Sequence, residues 1–337
     1  MNENSEKILS IIVPAYNMEK YLKKCIESML EETVLNAIEI VIVNDGSIDS
    51  TEKIAQKFVS ECPNVIKYVK KENGGHGSAI NCGIGVASGK YFKIVDADDM
   101  LNKKELPPFI DLLSKVSSDI VASNFLCISD ANEHVFNKRC ATTDSLLWGK
   151  EVYISEGQVE NIIKMHSMTI KTDILKKNAI RLTEKCFYVD AEYITYPIPF
   201  CDSIYFYNQD IYLYRLGRKN QSMNIVSMQK NIRQHAMVLD NLICWYKSLN
   251  GLSEETMQYI CNSIAQVVED RFQIYISMGS RKGIINELRS FDTDLKENVP
   301  EIYFSTKKKS IDILRHTNYL ILPIGAIIYR IVKHNRF

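Results

Sequence analysis

Asp96-Ala97-Asp98-Asp99 places three carboxylates directly after the apolar run Phe92-Lys93-Ile94-Val95. Carboxylates this close repel one another unless a cation neutralises them. Such hard oxygen ligands suit Mg²⁺ or Mn²⁺, which also bind phosphate oxygens. The alternative is a solvated acidic turn of helix-capping aspartates. Asp45, in Val43-Asn44-Asp45-Gly46-Ser47, is either a turn residue or an acceptor for a base or ribose hydrogen bond. Tyr16 and Asn17 follow Pro14 and Ala15, and Tyr16 has the ring to stack on a base. Asn73-Gly74-Gly75-His76-Gly77-Ser78 offers backbone amides near a helix start, a suitable place for phosphates. His76 there is a loop hydrogen-bonder or a ligand. The stretch lacks the Gly-Lys-Ser/Thr of a phosphate loop, and it is not the dinucleotide Gly-x-Gly-x-x-Gly at a first strand. Kinase, NTPase and dehydrogenase chemistry are therefore disfavoured.

These residues need elements to position them. Residues 9–14 read as a buried strand stopped by Pro14, and 18–31 as a helix with apolar residues at helical spacing. A second strand, 38–43, ends in the Asn44–Ser47 turn cluster and leads to a helix over about 51–61. Further strands are predicted at 65–69 and 91–95, with a helix at 77–87 between them. Continuous apolar strands alternating with helices predict an α/β fold, a parallel sheet with helices on both faces. Ligands of such sheets bind beyond the carboxyl ends of the strands. Tyr16, Asn17, Asp45, Asn73 and Asp96 to Asp99 all follow strand ends, so they are expected at one rim. Strand patterns recur at 119–126 and 204–213. Helical periodicity dominates 228–250, 254–279 and 281–290. The expected organisation is a catalytic domain at 1–222, with halves of about 1–100 and 101–222, and a helical region at 223–337.

The chain has 337 residues and a formal net charge of +0, so nothing points to bulk electrostatic binding of nucleic acid. Its nine cysteines form no C-x-x-C pair, which favours free thiols in a reducing cytosol. The polar N-terminus does not read as a signal peptide. The longest apolar run, Tyr319 to Tyr329, is interrupted by Pro323 and Gly325 and is too short to span a bilayer. Lys307 to Lys309, Arg315, Arg330, Lys333 and Arg336 flank it. That pattern suits either an interfacial helix on anionic lipid or a helix packed on the catalytic domain or another subunit. The expected location is the cytoplasm or the inner face of the cell membrane.

Four motifs in order, Ser10-Ile-Ile-Val-Pro-Ala-Tyr-Asn17, Ile42-Val-Asn-Asp-Gly-Ser47, Glu72-Asn-Gly-Gly-His-Gly77 and Asp96-Ala-Asp-Asp99, resemble family 2 glycosyltransferases of GT-A fold. The resemblance implies inverting transfer from a nucleotide-diphospho-sugar, often UDP-linked, to a hydroxyl of a glycan, a lipid-linked glycan or a glycoprotein. It implies that Pro14, Ala15, Tyr16, Asn17 and Asp45 hold uracil and ribose, with Asn73, Gly75 and Ser78 on the donor side. Asp96, Ala97 and Asp98 then form the DXD element, with Mn²⁺ or Mg²⁺ on Asp98. Phe187-Tyr188-Val189-Asp190-Ala191-Glu192 resembles the family's Glu-Asp element and makes Asp190 the base. Val189 departs from the usual Glu, and nearby Glu192 is the other candidate. Either one of Arg215, Arg218 and Lys219 meets the diphosphate or they form a solvated basic turn, and His166 either lines the acceptor side or is an interior histidine. Competing readings are a nucleotidyltransferase and a non-catalytic nucleotide- or carbohydrate-binding module. The first lacks its basic Gly-rich loop after strand one.

Overall fold

The computed structural model describes residues 6–218, 221, 224–279 and 281–327. The chain divides into two compact units, Met1–Leu216 and Gly217–Phe337.

The first unit carries ten strands: β1 (Leu9–Ala15), β2 (Ile38–Asn44), β3 (Ile66–Lys70), β4 (Tyr91–Ile94), β5 (Met100–Leu101), β6 (Ile120–Ser129), β7 (Val135–Arg139), β8 (Glu151–Tyr153), β9 (Met168–Lys171) and β10 (Ser203–Leu216). Their order is β3-β2-β1-β4-β9-β6-β10-β5, with β7 beside β6 and β8 beside β10. β1, β2 and β4 are buried along their whole length, as continuous apolar runs require. Their mutual pairings and that of β3 are parallel. The second half of the sheet is mixed. β9 runs antiparallel between β4 and β6, and β10 is parallel to β6.

The helices of this unit are α1 (Leu22–Glu27), α2 (Thr51–Glu61), α3 (His76–Val86), α4 (Leu106–Lys115), α5 (Thr172–Lys177) and α6 (Asp190–Thr195). α1 is shorter than the predicted 18–31 because its entry is held from elsewhere. The Met18 amide donates to Thr51 Oγ1 at 2.7 Å and the Glu19 amide to Asp49 Oδ2 at 3.1 Å. α3 lies close on β1: a Cβ on Gly83 would stand 2.4 Å from Ile12 Cγ2.

The pairing of β1 with β4 ends at Ile12 opposite Ile94, although β1 runs on to Ala15. The two chains part there, and Pro14, which has no N–H to donate, sits past the last pair. This opening at adjacent strand ends is where an open α/β sheet receives ligands.

The second unit is helical: α7 (Ile225–Lys230), α8 (Ile232–Ser248), α9 (Glu254–Ser277), α10 (Ile284–Asn298), α11 (Pro300–Phe304) and α12 (Lys309–His316). Arg315, read from sequence among the basic residues of the tail, is internal here. Its Nε and Nη2 donate to Asp292 Oδ2 and Oδ1 at 2.9 and 2.8 Å, and Tyr319 adds a 2.6 Å bond to Oδ2. The Lys307 and Lys308 amides both donate to Glu269 Oε1. Arg330, Lys333 and Arg336, and the end of the apolar run, lie outside the described residues. Among the described residues no helix is long and apolar enough to cross a membrane.

Candidate active site

The acidic turn begins directly after β4. Asp99 closes it by donating its amide to Asp96 O at 2.8 Å. Its buried carboxylate accepts the Tyr212 hydroxyl at 2.5 Å and the Arg215 amide at 2.7 Å. Burial, reinforced by Asp98 and then Asp96, raises its pKa well above the usual carboxylate range. Arg215 also donates Nε to Asp98 O at 2.8 Å and Nη2 to Glu133 at 2.9 Å. It is a buried brace behind the turn and not the diphosphate contact its sequence position suggested. Arg218 belongs to the second unit, and Lys219 lies outside the described residues.

Asp96 is part-exposed, while Ala97 and Asp98 are buried. Asp96 Oδ1 meets His76 Nε2 at 2.8 Å. Burial disfavours a charge on His76, but Asp96, then Asp190 and Asp98, outweigh it and raise its pKa. The Gly-rich stretch therefore brings a histidine to the acidic turn.

Asp190 opens α6 and is exposed. The surrounding protein still removes enough water to raise its pKa. His76 and Lys164 oppose that shift, and Asp96 adds to it. Glu192 differs sharply. It is wholly buried, and it accepts the Thr183 amide at 2.7 Å and the Thr183 hydroxyl at 2.6 Å. Of the two acidic residues, only Asp190 is reachable by a substrate.

The other donor-side residues divide in the same way. Tyr16, Asn17 and Asn73 are exposed; Pro14, Ala15 and Ser78 are buried. Asn17 takes the left-handed φ of 54° and accepts the Ile48 amide at 2.9 Å. That bond laces the loop after β1 to the loop after β2. Asp45 is buried, and it accepts the Gly74 and Gly75 amides at 2.9 and 2.8 Å and Lys71 Nζ at 2.7 Å. Those two amides, read from sequence as phosphate donors, are engaged by Asp45 instead. A buried carboxylate needs such partners.

The clamped loop joins the two sides of the site. Gly74 O accepts the Lys185 amide at 2.5 Å. A Cβ on Gly77 would fall 2.2 Å from Thr183 O. Thr183 is the residue that Glu192 holds, so a continuous path of contacts runs from Asp45 to α6.

Beneath the turn, the His166 ring packs on Tyr214, Tyr212 and Phe125 at centroid distances of 4.1, 4.9 and 5.1 Å. Burial pushes its pKa down to about 4, with Asp96 opposing. Buried Lys93 donates to the carbonyls of His166 and Met168 at 2.9 and 3.2 Å, and burial pushes its pKa down to about 7. Asp96, Asp99 and His166 each offer a ligand atom, all within 4.8 Å of one another. Two acidic side chains and an imidazole this close are a donor set of the kind that fits a divalent cation. The roles of Tyr212 and Lys93 are not legible in the sequence, where His76 is equally a loop hydrogen-bonder or a ligand. A histidine after a strand end that faces an acidic strand end was the available signal.

Residues 10–178 match the family described as Glycosyl transferase family 2. The minor teichoic acid biosynthesis protein GgaB of Bacillus subtilis (strain 168) is 35% identical over 191 residues, 55% of this chain and 20% of that protein. The glycosyltransferase GlyG of Streptococcus pneumoniae serotype 4 is 37% identical over 120 residues, 35% of this chain and 39% of that protein. The matches thus span well under two thirds of these relatives' lengths. Among solved structures, S. aureus TarS 1–349 in complex with UDP-GlcNAc superposes with a TM-score of 0.61 at 17% identity, covering 96% of this chain and 89% of that one. The mannosyltransferase PcManGT from Pyrobaculum calidifontis, in complex with GDP-Man and Mn²⁺, gives 0.51 at 13% identity, covering 97% and 88%. Likeness at these identities is likeness of fold.

Proposed function

The chain belongs to glycosyl transferase family 2, and we propose that it transfers a sugar, with inversion, from a UDP-sugar to an acceptor hydroxyl in the synthesis of a cell-wall or surface glycan. The observation that carries this reading is the convergence of Asp96, His76 and Asp190. His76 bonds Asp96 at 2.8 Å, and the Asp190 carboxyl feels both. On this reading Asp96 is the metal-side carboxylate and exposed Asp190 the base of one site. The printed descriptions of GgaB and of TarS with UDP-GlcNAc support the glycan and donor classes.

Displacement at the anomeric carbon leaves negative charge on the departing diphosphate and positive charge on the sugar ring. Asp98 and Asp96 would hold a divalent cation there, which would supply Lewis-acid stabilisation of that diphosphate. Asp190 accepts the acceptor's hydroxyl proton as the new bond forms, and a single displacement inverts the centre. Its raised pKa brings its proton affinity closer to that task. Tyr16 and Asn17 line the base and ribose side. Asp45 keeps the Gly-rich loop in place behind them and offers its remaining lone pairs to the base. Asp45 and Glu192 together hold the donor side and the base helix in register.

The direct test is a screen of nucleotide-sugars for hydrolysis by the purified chain, with and without Mn²⁺, followed by NMR of the product anomer. Metal-dependent release of UDP with an inverted anomer is expected. Turnover of no nucleotide-sugar, or a retained anomer, contradicts the proposal.

A further inference from the structure

We propose that His166 is itself a ligand to the divalent cation of this site and makes the site prefer Mn²⁺ to Mg²⁺. The inference rests on the metal-dependent reading above and joins it through Asp96, the carboxylate of the acidic motif that His166 reaches. His166 reaches the turn because of topology: β9 runs antiparallel to β4, so the residues just before Met168 come level with the end of β4. Its ligand atom lies within 4.8 Å of those of Asp96 and Asp99.

Two features favour coordination over packing alone. The ring is fixed on its faces and edges by Tyr214, Tyr212 and Phe125. Its backbone carbonyl is anchored from below by Lys93. An imidazole held rigidly beside Asp96 resembles a prepared ligand position, since metal-bound histidines need such orientation. The carboxylates alone would serve either ion. Mg²⁺ takes oxygen ligands in a near-ideal octahedron, whereas imidazole suits the later first-row ions and remains acceptable to Mn²⁺. One nitrogen donor therefore separates the two ions.

The test uses the full chain with UDP, and Mn²⁺ and Mg²⁺ as probes. His166→Phe keeps an aromatic ring against Tyr212, Tyr214 and Phe125 while removing the nitrogens. His166→Gln checks the result in a second, polar background. Circular dichroism and thermal melting without metal establish that both are folded. Electron paramagnetic resonance counts free Mn²⁺, and its pulsed form detects nitrogen bound to the ion. Wild type is expected to show nitrogen coupling that both variants lose. Mn²⁺ affinity should fall at least about tenfold while Mg²⁺ affinity barely changes, given the usual sensitivity of metal sites to their ligand surroundings. The inference is overturned if His166→Phe keeps the wild-type Mn²⁺ affinity and nitrogen coupling. It is also overturned if the coupling vanishes only in His76→Gln, because the nitrogen then belongs to the neighbouring histidine. In both cases retained Mn²⁺ binding leaves the proposed function standing. Failure of the wild type to bind Mn²⁺ with UDP removes the metal-dependent reading itself.

Discussion

Gly77→Ala is the sharpest structural perturbation available in the site. The added Cβ would lie 2.2 Å from Thr183 O and 3.2 Å from its carbonyl carbon, both backbone atoms that cannot swing aside. An ordinary carbon–oxygen contact needs about 3.3 Å, so α3 and the Thr183 loop must part by about 1 Å. Overpacking of this kind costs about 1–3 kcal/mol, and replacing glycine within a helix returns up to about 1 kcal/mol. The net loss should be on the order of 1–2 kcal/mol, so the protein remains folded. Function should suffer far more. Thr183 is bonded twice to Glu192, in the same short helix as Asp190. A displacement of about 1 Å at a base costs roughly a hundredfold in rate. UDP release in the presence of acceptor, calorimetric UDP binding and urea unfolding separate the two effects. Transfer should fall roughly a hundredfold while UDP still binds. Wild-type transfer by a folded Gly77→Ala protein would refute the idea that this joint sets the position of the base.

Glu192→Ala leaves the Thr183 amide without its acceptor and should cost at least about 2 kcal/mol in urea unfolding, which an active-site carboxylate would not. Arg315→Met leaves the buried Asp292 carboxylate without its charge partner and should destabilise the second unit by about 3–5 kcal/mol, read as a lower unfolding midpoint. Lys93 gives a pH signature. Its folded pKa, about 7, lies below the ordinary lysine value of 10.5, so the unfolded chain binds more protons between those two values. The penalty for burying this amine is full below about pH 7 and lifts as pH rises toward 10.5. Lys93→Met should remove that rising component from melting temperatures measured between those values. An unchanged pH dependence would mean that the amine is not the source.

Local patterns were readable in the sequence where the chain satisfies itself locally. β1 and β2 are continuous apolar runs and stand where those runs lie. α2 spans Thr51–Glu61, the predicted range, because its apolar face and its polar entry agree. The misfit at α1 arises from bonds to Thr51 and Asp49, thirty or more residues away in sequence. β9 has only four residues, too few to reveal that it enters the sheet antiparallel. The rim itself was readable, since Asp45, Asn73 and Asp96 follow strand ends. The engagement of each carboxylate was not. Asp45 turns to amides 29 and 30 positions away, and Asp99 to Tyr212 and Arg215 more than a hundred away. In the sequence the motif match favours Asp190 as base, and Glu192 two residues on is the other candidate. Helix geometry sends one to the opening and the other into the protein.

The central claim is that one opening holds a donor side built on Asp98 and a separate base, Asp190. It is tested most directly by measuring, on the same preparations, Mn²⁺-dependent UDP binding and sugar transfer for wild type, Asp98→Asn and Asp190→Asn. Asp98→Asn should lose Mn²⁺-dependent binding and transfer together. Asp190→Asn should bind UDP and Mn²⁺ like wild type and lose transfer by at least about a hundredfold. Wild-type transfer by Asp190→Asn, or unchanged metal-dependent binding by Asp98→Asn, would contradict the account.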